Sequence, residues 1–161
     1  MEATVAQNTL QLLTFTLDDE LFAVEISRVR EVLEYKGVTR IPRVPDFMRG
    51  VINLRGSVVP VVDLKIKFGI GSTKQTVSTC VIITEIDLGG EKIILGALAD
   101  AVSEVIDLAG ENIEPPPKIG TRLDTQFIRG MGKYNNDFVI LLDIDRIFTE
   151  AELDAVTQPA K

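Results

Sequence analysis

An internal repeat constrains the fold of this chain more than any other feature of its sequence. Shifting the sequence by 80 positions places Phe47–Gly50 ("FMRG") on Phe127–Gly130 ("FIRG"). The same shift carries Val61–Leu64 ("VVDL") onto Leu141–Ile144 ("LLDI") without a gap. Because a duplicated segment forms the same structure twice, the repeat predicts two related units within one chain.

The repeat extends upstream with a different spacing. A shift of 73 positions aligns "VREVL" (29–33) with "VSEVI" (102–106), so the second copy carries seven extra residues. We place this insertion in the proline-rich segment "EPPPKIG" (114–120). We therefore predict two pseudo-symmetric halves of about five strands each, at approximately residues 10–70 and 79–150.

Short apolar runs broken by turn residues fill both halves, and this texture is typical of small β-barrels or a sandwich. The segments "LQLLTFTL" (10–17) and "ELFAVEI" (20–26) flank a "DD" turn and predict a hairpin. Helical signals are fewer. The segments "DLKIKF" (63–68) and "DIDRIFTEAELDAV" (143–156) each begin with an aspartate suited to capping a helix.

Composition excludes several classes of function. The 161 residues include no histidine, which removes Ser-His-Asp catalysis and histidine-ligated zinc or haem. The net charge of −7 and the scattered basic residues argue against nucleic-acid binding. No apolar run approaches the roughly 18 residues of a membrane span, and "MEATVAQNTL" (1–10) lacks the basic flank and the apolar centre of a signal peptide. We expect a cytoplasmic protein with no cofactor, no metal and no direct membrane insertion.

The repeat also separates residues that serve the fold from candidates for function. Asp63 and Asp143 recur at the strand-to-helix junction and are predicted to cap helices. Gly50 and Gly130 recur where two backbones approach closely or a strand bulges. A feature present in both copies is best explained by the shared structure.

Two residues of the segment "VINLRGSVVPVVDL" (51–64) are present in one copy only. Arg55 aligns with Asn135, so the predicted hairpin turn does not need a guanidinium. Arg55 is therefore either an ordinary solvated side chain or a partner contact. Pro60 aligns with Ile140 and removes one backbone donor, which predicts a strand edge or a bulge.

The residues that carry a family resemblance span most of the chain, from about residue 10 to 150. They are "FTLDDELFAVEISRVREVLEY", "TRIPRVPDFMRGVINLRGSVVPVVDLKIKFG", "CVIITEI", "VSEVIDL" and "ILLDIDRIF". Together they resemble the CheW family of chemotaxis coupling proteins, and "GVINLRG" followed by "VPVVDL" is its specific signature. The resemblance implies a single CheW-like domain over residues 1–161, mainly all-β, made of two five-stranded SH3-like barrels packed together. It also implies short helices after the repeat strands and at the C-terminus.

The resemblance further implies a non-enzymatic adaptor. Members of this family couple the cytoplasmic tips of methyl-accepting chemoreceptors to the regulatory domain of the histidine kinase CheA, within membrane-associated receptor arrays. The nearest alternative function is also that of an adaptor, but in a non-flagellar chemosensory pathway that controls pili or development. A fragment of a larger CheW-receiver fusion is disfavoured, because the sequence ends at "TQPAK". An enzyme would have to recruit Ser57, Lys65, Asp63 and Glu31, whose spacing indicates no acid-base chemistry.

Candidate site residues follow from the same resemblance. The positions that match the receptor-binding surface are Leu13, Ile26, Val29, Glu31, Val32, Gly50 and Arg55. The groove between the barrels would be lined by Leu13, Ile26, Val29 and Val32. Glu31 would pair with Arg55. Ile26, Val29 and Val32 recur every three residues, as in one ridge of a turn or helix, or as ordinary core. Exposed Val58 or Val59, beside Pro60, would meet the kinase.

Glu31 is the one position at which the two lines of reasoning disagree. It recurs as Glu104 in the second half, which predicts a structural role. Only the resemblance makes it functional. Arg55 satisfies both the repeat comparison and the resemblance.

Overall fold

The computed structural model describes residues 9–115 and 127–157, and these residues form two β-sheets. The strands are β1 (Thr9–Leu17), β2 (Glu20–Glu25), β3 (Val29–Glu34), β4 (Met48–Leu54), β5 (Ser57–Asp63), β6 (Cys80–Leu88), β7 (Glu91–Ala99), β8 (Ala101–Ala109), β9 (Ile113–Glu114), β10 (Ile128–Tyr134) and β11 (Asp137–Leu142). The helices are α1 (Leu64–Lys67) and α2 (Glu150–Thr157), with 3-10 turns at Ile26–Arg28 and Gly110–Asn112. Most of the predicted insertion at 114–120 lies outside the described residues. No helix among those described is long and apolar enough to cross a membrane.

The two halves of the sequence exchange their first hairpins. One sheet has the order β3-β6-β7-β5-β4, and we call it barrel 1. The other has the order β8-β1-β2-β11-β10-β9, and we call it barrel 2. The hairpin β1–β2 thus pairs with strands of the second half, and β6–β7 pairs with strands of the first half. The prediction of a mainly β fold with two SH3-like barrels is confirmed, and barrel 2 gains the two-residue β9 as a sixth strand.

Each barrel contains one short parallel pairing. In barrel 1, Val61–Asp63 of β5 pair with residues 96–98 of β7. In barrel 2, Ile140 and Leu141 of β11 pair with residues 22 and 23 of β2. Because the pairing covers only two or three residues, the two strands diverge toward the β4–β5 and β10–β11 turns, and each barrel opens there.

The main hydrophobic core joins elements of both halves. Phe15 and Phe22 of the first hairpin stack at 6.1 Å, and Phe22 stacks on Phe68 at 6.1 Å. Phe68 in turn contacts Phe127 of the second half at 5.7 Å. Each fully buried phenylalanine contributes roughly 1.5–3 kcal/mol, so this aromatic series is a large part of what joins the halves.

The two repeat glycines are required by close backbone approach. A Cβ added to Gly50, whose φ is +151°, would lie 2.3 Å from the carbonyl oxygen of Thr39. A Cβ added to Gly130 would lie 2.9 Å from the carbonyl oxygen of Glu114. Both glycines lie where the strand register shifts, so the predicted close approach and bulge are present in both copies.

The two aspartates predicted to cap helices differ. The carboxylate of Asp63 accepts the backbone N–H of Lys65 at 3.0 Å and caps α1, as predicted. Asp143 caps no helix, because its carboxylate accepts Asp145 N–H in a turn and α2 begins only at Glu150. The prediction of a helix starting at Asp143 is therefore wrong.

The cause is a capping box at the true start of α2. The hydroxyl of Thr149 accepts the N–H of Glu152 at 3.1 Å, and the carboxylate of Glu152 accepts the N–H of Thr149 at 2.9 Å. This reciprocal arrangement gives hydrogen-bond acceptors to both backbone N–H groups, whereas a single capping side chain would satisfy only one of them. The preceding Ile147 and Phe148 are drawn into the core instead of continuing a helix.

Candidate partner-binding surface

A β-bulge builds the apolar surface predicted along β3. The register with β6 shifts between Val29 and Glu31, so Val29 faces Thr84 while Val32 faces Ile82. Thr84 and Ile82 are two residues apart and share one face of β6. Val29 and Val32 therefore lie on the same face, which a spacing of three would forbid in a regular strand. The predicted ridge exists, but a bulged strand rather than a helix forms it.

The four apolar residues predicted to line the groove differ in exposure. Leu13 is buried in the main core cluster, and Ile26 and Val29 pack against the same cluster while remaining partly exposed. Val32 is 39% exposed. β3 is the outer strand of barrel 1, with β6 as its partner in the sheet. Leu13 thus supports the surface from beneath, and the other three side chains lie where a partner could reach them.

The predicted ion pair between Arg55 and Glu31 is present. Nη1 of Arg55 donates to Oε1 of Glu31 at 3.3 Å, and Nη2 donates to Oε2. The hydrogen bond to Glu31 raises the pKa of Arg55. The Arg55 side chain is 71% exposed and that of Glu31 27%. Glu31 faces Ile83, on the face of β3 opposite to Val29 and Val32, so the ion pair and the apolar ridge lie on the two sides of one sheet edge.

The turn that carries Arg55 has the same conformation in both halves. Arg55 and Gly56 have φ values of +50° and +90°, and Asn135 and Asn136 have +49° and +69°. Two consecutive positive φ angles define the mirror-image hairpin turn that suits twisted strands. The second half forms this turn without a guanidinium, so the fold does not explain the charge of Arg55.

The positions predicted to meet the kinase are only partly exposed. Val58 is 70% exposed, beside the opening of barrel 1. Val59 is 4% exposed and packs with Val61 and Ile83, so of the two predicted alternatives Val58 is the exposed one. Every residue of β5 from Val59 onward is buried, so both faces of the strand are covered beyond Val58.

Pro60 is buried, and β5 lies between β4 and β7, so the edge-strand interpretation of this proline is wrong. Counted from the turn, Pro60 and Val51 form a non-hydrogen-bonded pair, in which the nitrogen of Pro60 points away from β4. The pairing with β7 begins only at Val61. The missing N–H therefore costs no hydrogen bond of the sheet.

Two exposed apolar positions in the second half were not predicted from the sequence. Phe138, 80 residues after Val58, is 54% exposed and lies at the opening of barrel 2. Val105 is 47% exposed and lies 73 residues after Val32. Both shifts were already present in the sequence, so mapping the candidate residues onto the second half would have found them.

Two members of the hypothetical enzyme site are engaged in structural contacts. Nζ of Lys65 lies 2.5 Å from Asp18 and 3.4 Å from Asp100. Burial lowers the pKa of Lys65, but the two carboxylates outweigh it, and the net pKa is raised. Lys65 is thus a cation rather than a general base. The carboxylate of Asp63 is occupied by Thr73. Within residues 9–115 and 127–157, no three potential metal ligands cluster.

A pair of SH3-like barrels with exposed apolar and charged side chains at their open ends defines the class of protein, a mainly β fold of two small barrels. Comparison with known proteins identifies the family within this class. The family model described as "CheW-like domain" matches residues 11–152. The chain is 36% identical over 151 residues to the chemotaxis protein CheW of Klebsiella aerogenes, covering 94% of this chain and 89% of that protein. It is 33% identical over 149 residues to a probable chemotaxis protein CheW of Rhizobium etli, covering 92% and 94%.

A solved structure agrees with these relatives. The scaffolding protein TtCheW from Thermoanaerobacter tengcongensis superimposes with a TM-score of 0.78 at 38% sequence identity, covering 89% of this chain and 90% of that one. The chain therefore belongs to the CheW family of chemotaxis adaptor proteins.

Proposed function

We propose that this protein couples the cytoplasmic tips of chemoreceptors to the regulatory domain of the histidine kinase CheA, as a cytoplasmic adaptor recruited to receptor arrays. The observation that carries the proposal is the exposed guanidinium of Arg55. It occupies a hairpin turn that the second half forms with asparagines, and it borders the apolar edge of β3.

The receptor surface is the outer edge of β3. Val32 offers exposed apolar area on one face of this strand, with Ile26 and Val29 partly exposed beside it. On the other face Glu31 holds the Arg55 guanidinium in place through two hydrogen bonds. A helical receptor tip that packs its apolar side on the ridge would bring its polar residues to Arg55. Gly50 contributes indirectly, by allowing β4 to approach the segment around Thr39.

The kinase surfaces are the open ends of the two barrels. Val58 and Phe138 occupy equivalent positions, and both are exposed apolar side chains next to a diverging parallel strand pair. Isolated apolar side chains at such openings suit packing against another small barrel. Two equivalent contacts on one adaptor would let it bridge two kinase domains. Of the three residues named from the sequence, Val58 remains the candidate contact, with buried Val59 and Pro60 shaping the opening behind it.

Charge reversal at Arg55 tests the receptor surface. We expect Arg55→Glu to weaken binding of a purified receptor signalling fragment at least tenfold, because the new carboxylate would repel Glu31 and any acidic partner group. The melting temperature should stay within about 2 °C, since exposed ion pairs add little stability. Lys133→Glu is the matched control, because Lys133 forms an exposed pair with Glu114 in barrel 2. Isothermal titration against the receptor fragment and the kinase regulatory domain gives both affinities.

A charge swap separates recognition of Arg55 from simple pairing. In the double variant Glu31→Arg, Arg55→Glu the ion pair is restored with its polarity inverted. If a partner recognises the guanidinium at position 55, the swap will not restore receptor binding. Unchanged receptor affinity in Arg55→Glu, or equal losses in Arg55→Glu and Lys133→Glu, would contradict the proposed receptor surface.

A further inference from the structure

A bidentate ion pair joins the two barrels next to the candidate receptor surface. Arg28 ends the 3-10 turn through which the chain crosses from β2 in barrel 2 to β3 in barrel 1. Asp145 lies in the turn that follows β11 of barrel 2. Nη1 of Arg28 donates to Oδ2 of Asp145 at 2.9 Å, and Nη2 donates to Oδ1. The two side chains are only 23% and 32% exposed, so water competes weakly for these bonds.

Both partners of this pair also bind β6, the strand on which β3 is built. Nε of Arg28 donates to the carbonyl oxygen of Glu85 at 3.1 Å. Oδ1 of Asp145 accepts the backbone N–H of Asp87 at 2.8 Å. The crossover turn, β6 and the turn after β11 therefore meet at one pair of side chains. Three rigid segments are fixed relative to one another at this point.

The repeat supplies a counterpart of this pair with inverted polarity. The 80-residue shift maps Asp145 onto Lys65, which follows β5 as Asp145 follows β11. Lys65 pairs with Asp100 at 3.4 Å, and Asp100 lies in the crossover from β7 to β8. Each crossover between the barrels is thus tied by an ion pair to the second residue after the repeat aspartate. Lys65 and Asp145 carry opposite charges at equivalent positions, and Asp100 lies one residue before Ala101, the counterpart of Arg28, so a similar arrangement recurs although the residues do not.

The Arg28–Asp145 pair lies next to the apolar ridge of β3, whereas the Lys65–Asp100 pair does not. Arg28 is followed directly by Val29, and the same turn begins with Ile26, so the pair lies inside the segment that forms the apolar ridge. Lys65 and Asp100 lie outside that segment. Any tilt of the crossover turn would displace Ile26 relative to Val29 and Val32, which both pair with β6.

We propose that Arg28 and Asp145 are positioning residues that set the geometry of the receptor-binding edge, whereas the equivalent pair Lys65–Asp100 serves stability alone. This inference rests on the proposed receptor function. The ion pair itself touches no partner. It keeps the crossover turn, and with it the ridge, in the orientation that a helical tip can bind.

Two isosteric variants, one in each of the two ion pairs, test the proposal. Asp145→Asn removes the charge that Arg28 contacts. Asp100→Asn removes the more distant of the two carboxylates that contact Lys65, which keeps Asp18 at 2.5 Å. We expect Asp145→Asn to weaken binding of the receptor fragment about tenfold, while its affinity for the kinase regulatory domain stays within twofold. Asp100→Asn should leave both affinities within twofold. Binding is measured at a temperature at which both variants remain folded.

Two further measurements distinguish positioning from a general loss of stability. The double variant Arg28→Gln, Asp145→Asn should bind the receptor fragment no more weakly than the single variant with the lower affinity, because each single change already breaks the Arg28–Asp145 contact. Hydrogen exchange should accelerate at residues 26–34 in Asp145→Asn but not in Asp100→Asn. Equal receptor affinities in Asp145→Asn and the unmodified protein, or equal losses in Asp145→Asn and Asp100→Asn, would overturn the inference. If the unmodified protein binds no receptor fragment, the proposed function fails, and the exchange comparison still decides whether the pair orders this segment.

Discussion

The buried carboxylate of Asp63 offers the sharpest test of how the repeat divides structural roles. Its side chain is fully buried and accepts four hydrogen bonds. Oδ1 accepts from Lys65 N at 3.0 Å and from the Thr73 hydroxyl at 2.9 Å. Oδ2 accepts from Thr73 N at 2.8 Å and from Nη1 of Arg49 at 3.2 Å. The loop after α1 is therefore attached to the barrel through this one group.

Asp63→Asn keeps the shape of the side chain and changes its hydrogen bonding. In either orientation of the amide, the NH₂ group opposes a backbone N–H, that of Lys65 or that of Thr73. The variant loses the bond to Lys65 N–H in one orientation and the bonds to Thr73 N–H and Arg49 in the other, and its remaining bonds are to a neutral acceptor. Each bond to a charged acceptor contributes about 1.5–3 kcal/mol. We expect a loss of about 3–5 kcal/mol in the free energy of unfolding, and a fall in melting temperature of about 10 °C or more for a domain of this size.

Asp143→Asn is the matched control. The side chain of Asp143 is 30% exposed, and its contacts to Asp145 N–H and to Arg146 are 3.3 and 3.5 Å long. We expect this variant to lose at most about 1 kcal/mol, because the contacts are long and water can replace them. Urea denaturation followed by circular dichroism measures both. Similar losses in the two variants, or a loss below about 1 kcal/mol in Asp63→Asn, would refute this account of Asp63.

Two further predictions concern the C-terminal helix and the bulge of β4. Burial raises the pKa of Glu152, but the hydrogen bonds from Lys67 and Thr149 lower it by more than burial raises it. The net pKa is therefore below its usual value of 4.5. The ionised carboxylate therefore stabilises the fold above pH 4.5, and this stabilisation is lost as the pH falls below that value. Glu152→Gln should lower the free energy of unfolding by about 1–2 kcal/mol at pH 7 and by less at pH 3, as measured by urea denaturation. Gly50→Ala should cost about 3 kcal/mol, because its Cβ would strike a backbone carbonyl. Gly56→Ala, also at positive φ but with no neighbour within 4 Å, should cost only about 1 kcal/mol in the same assay.

The parts of the fold that the sequence predicted correctly are those set by local periodicity and by the repeat. The hairpin over 10–26 and the positive-φ turn at Arg55 follow from alternation and turn chemistry, which act over a few residues. The exchange of hairpins between the halves, in contrast, is set by which apolar faces meet in the core. Pro60 was misplaced for the same reason. The position of β5 inside the sheet depends on its parallel pairing with β7, more than 30 residues further along the chain.

The repeat comparison also has a physical limit, and the acidic residues show where it lies. Glu31 and Glu104 recur at equivalent positions of β3 and β8, yet Glu31 alone faces a guanidinium, because the turn opposite to it carries Arg55 where the second half has Asn135. Recurrence of a side chain fixes its place in the strand but not its partner. Asp63 and Asp143 diverge in the same way, one buried among four donors and the other half-exposed. In a duplicated fold, the role of a shared residue therefore has to be decided from the residue that lies opposite to it.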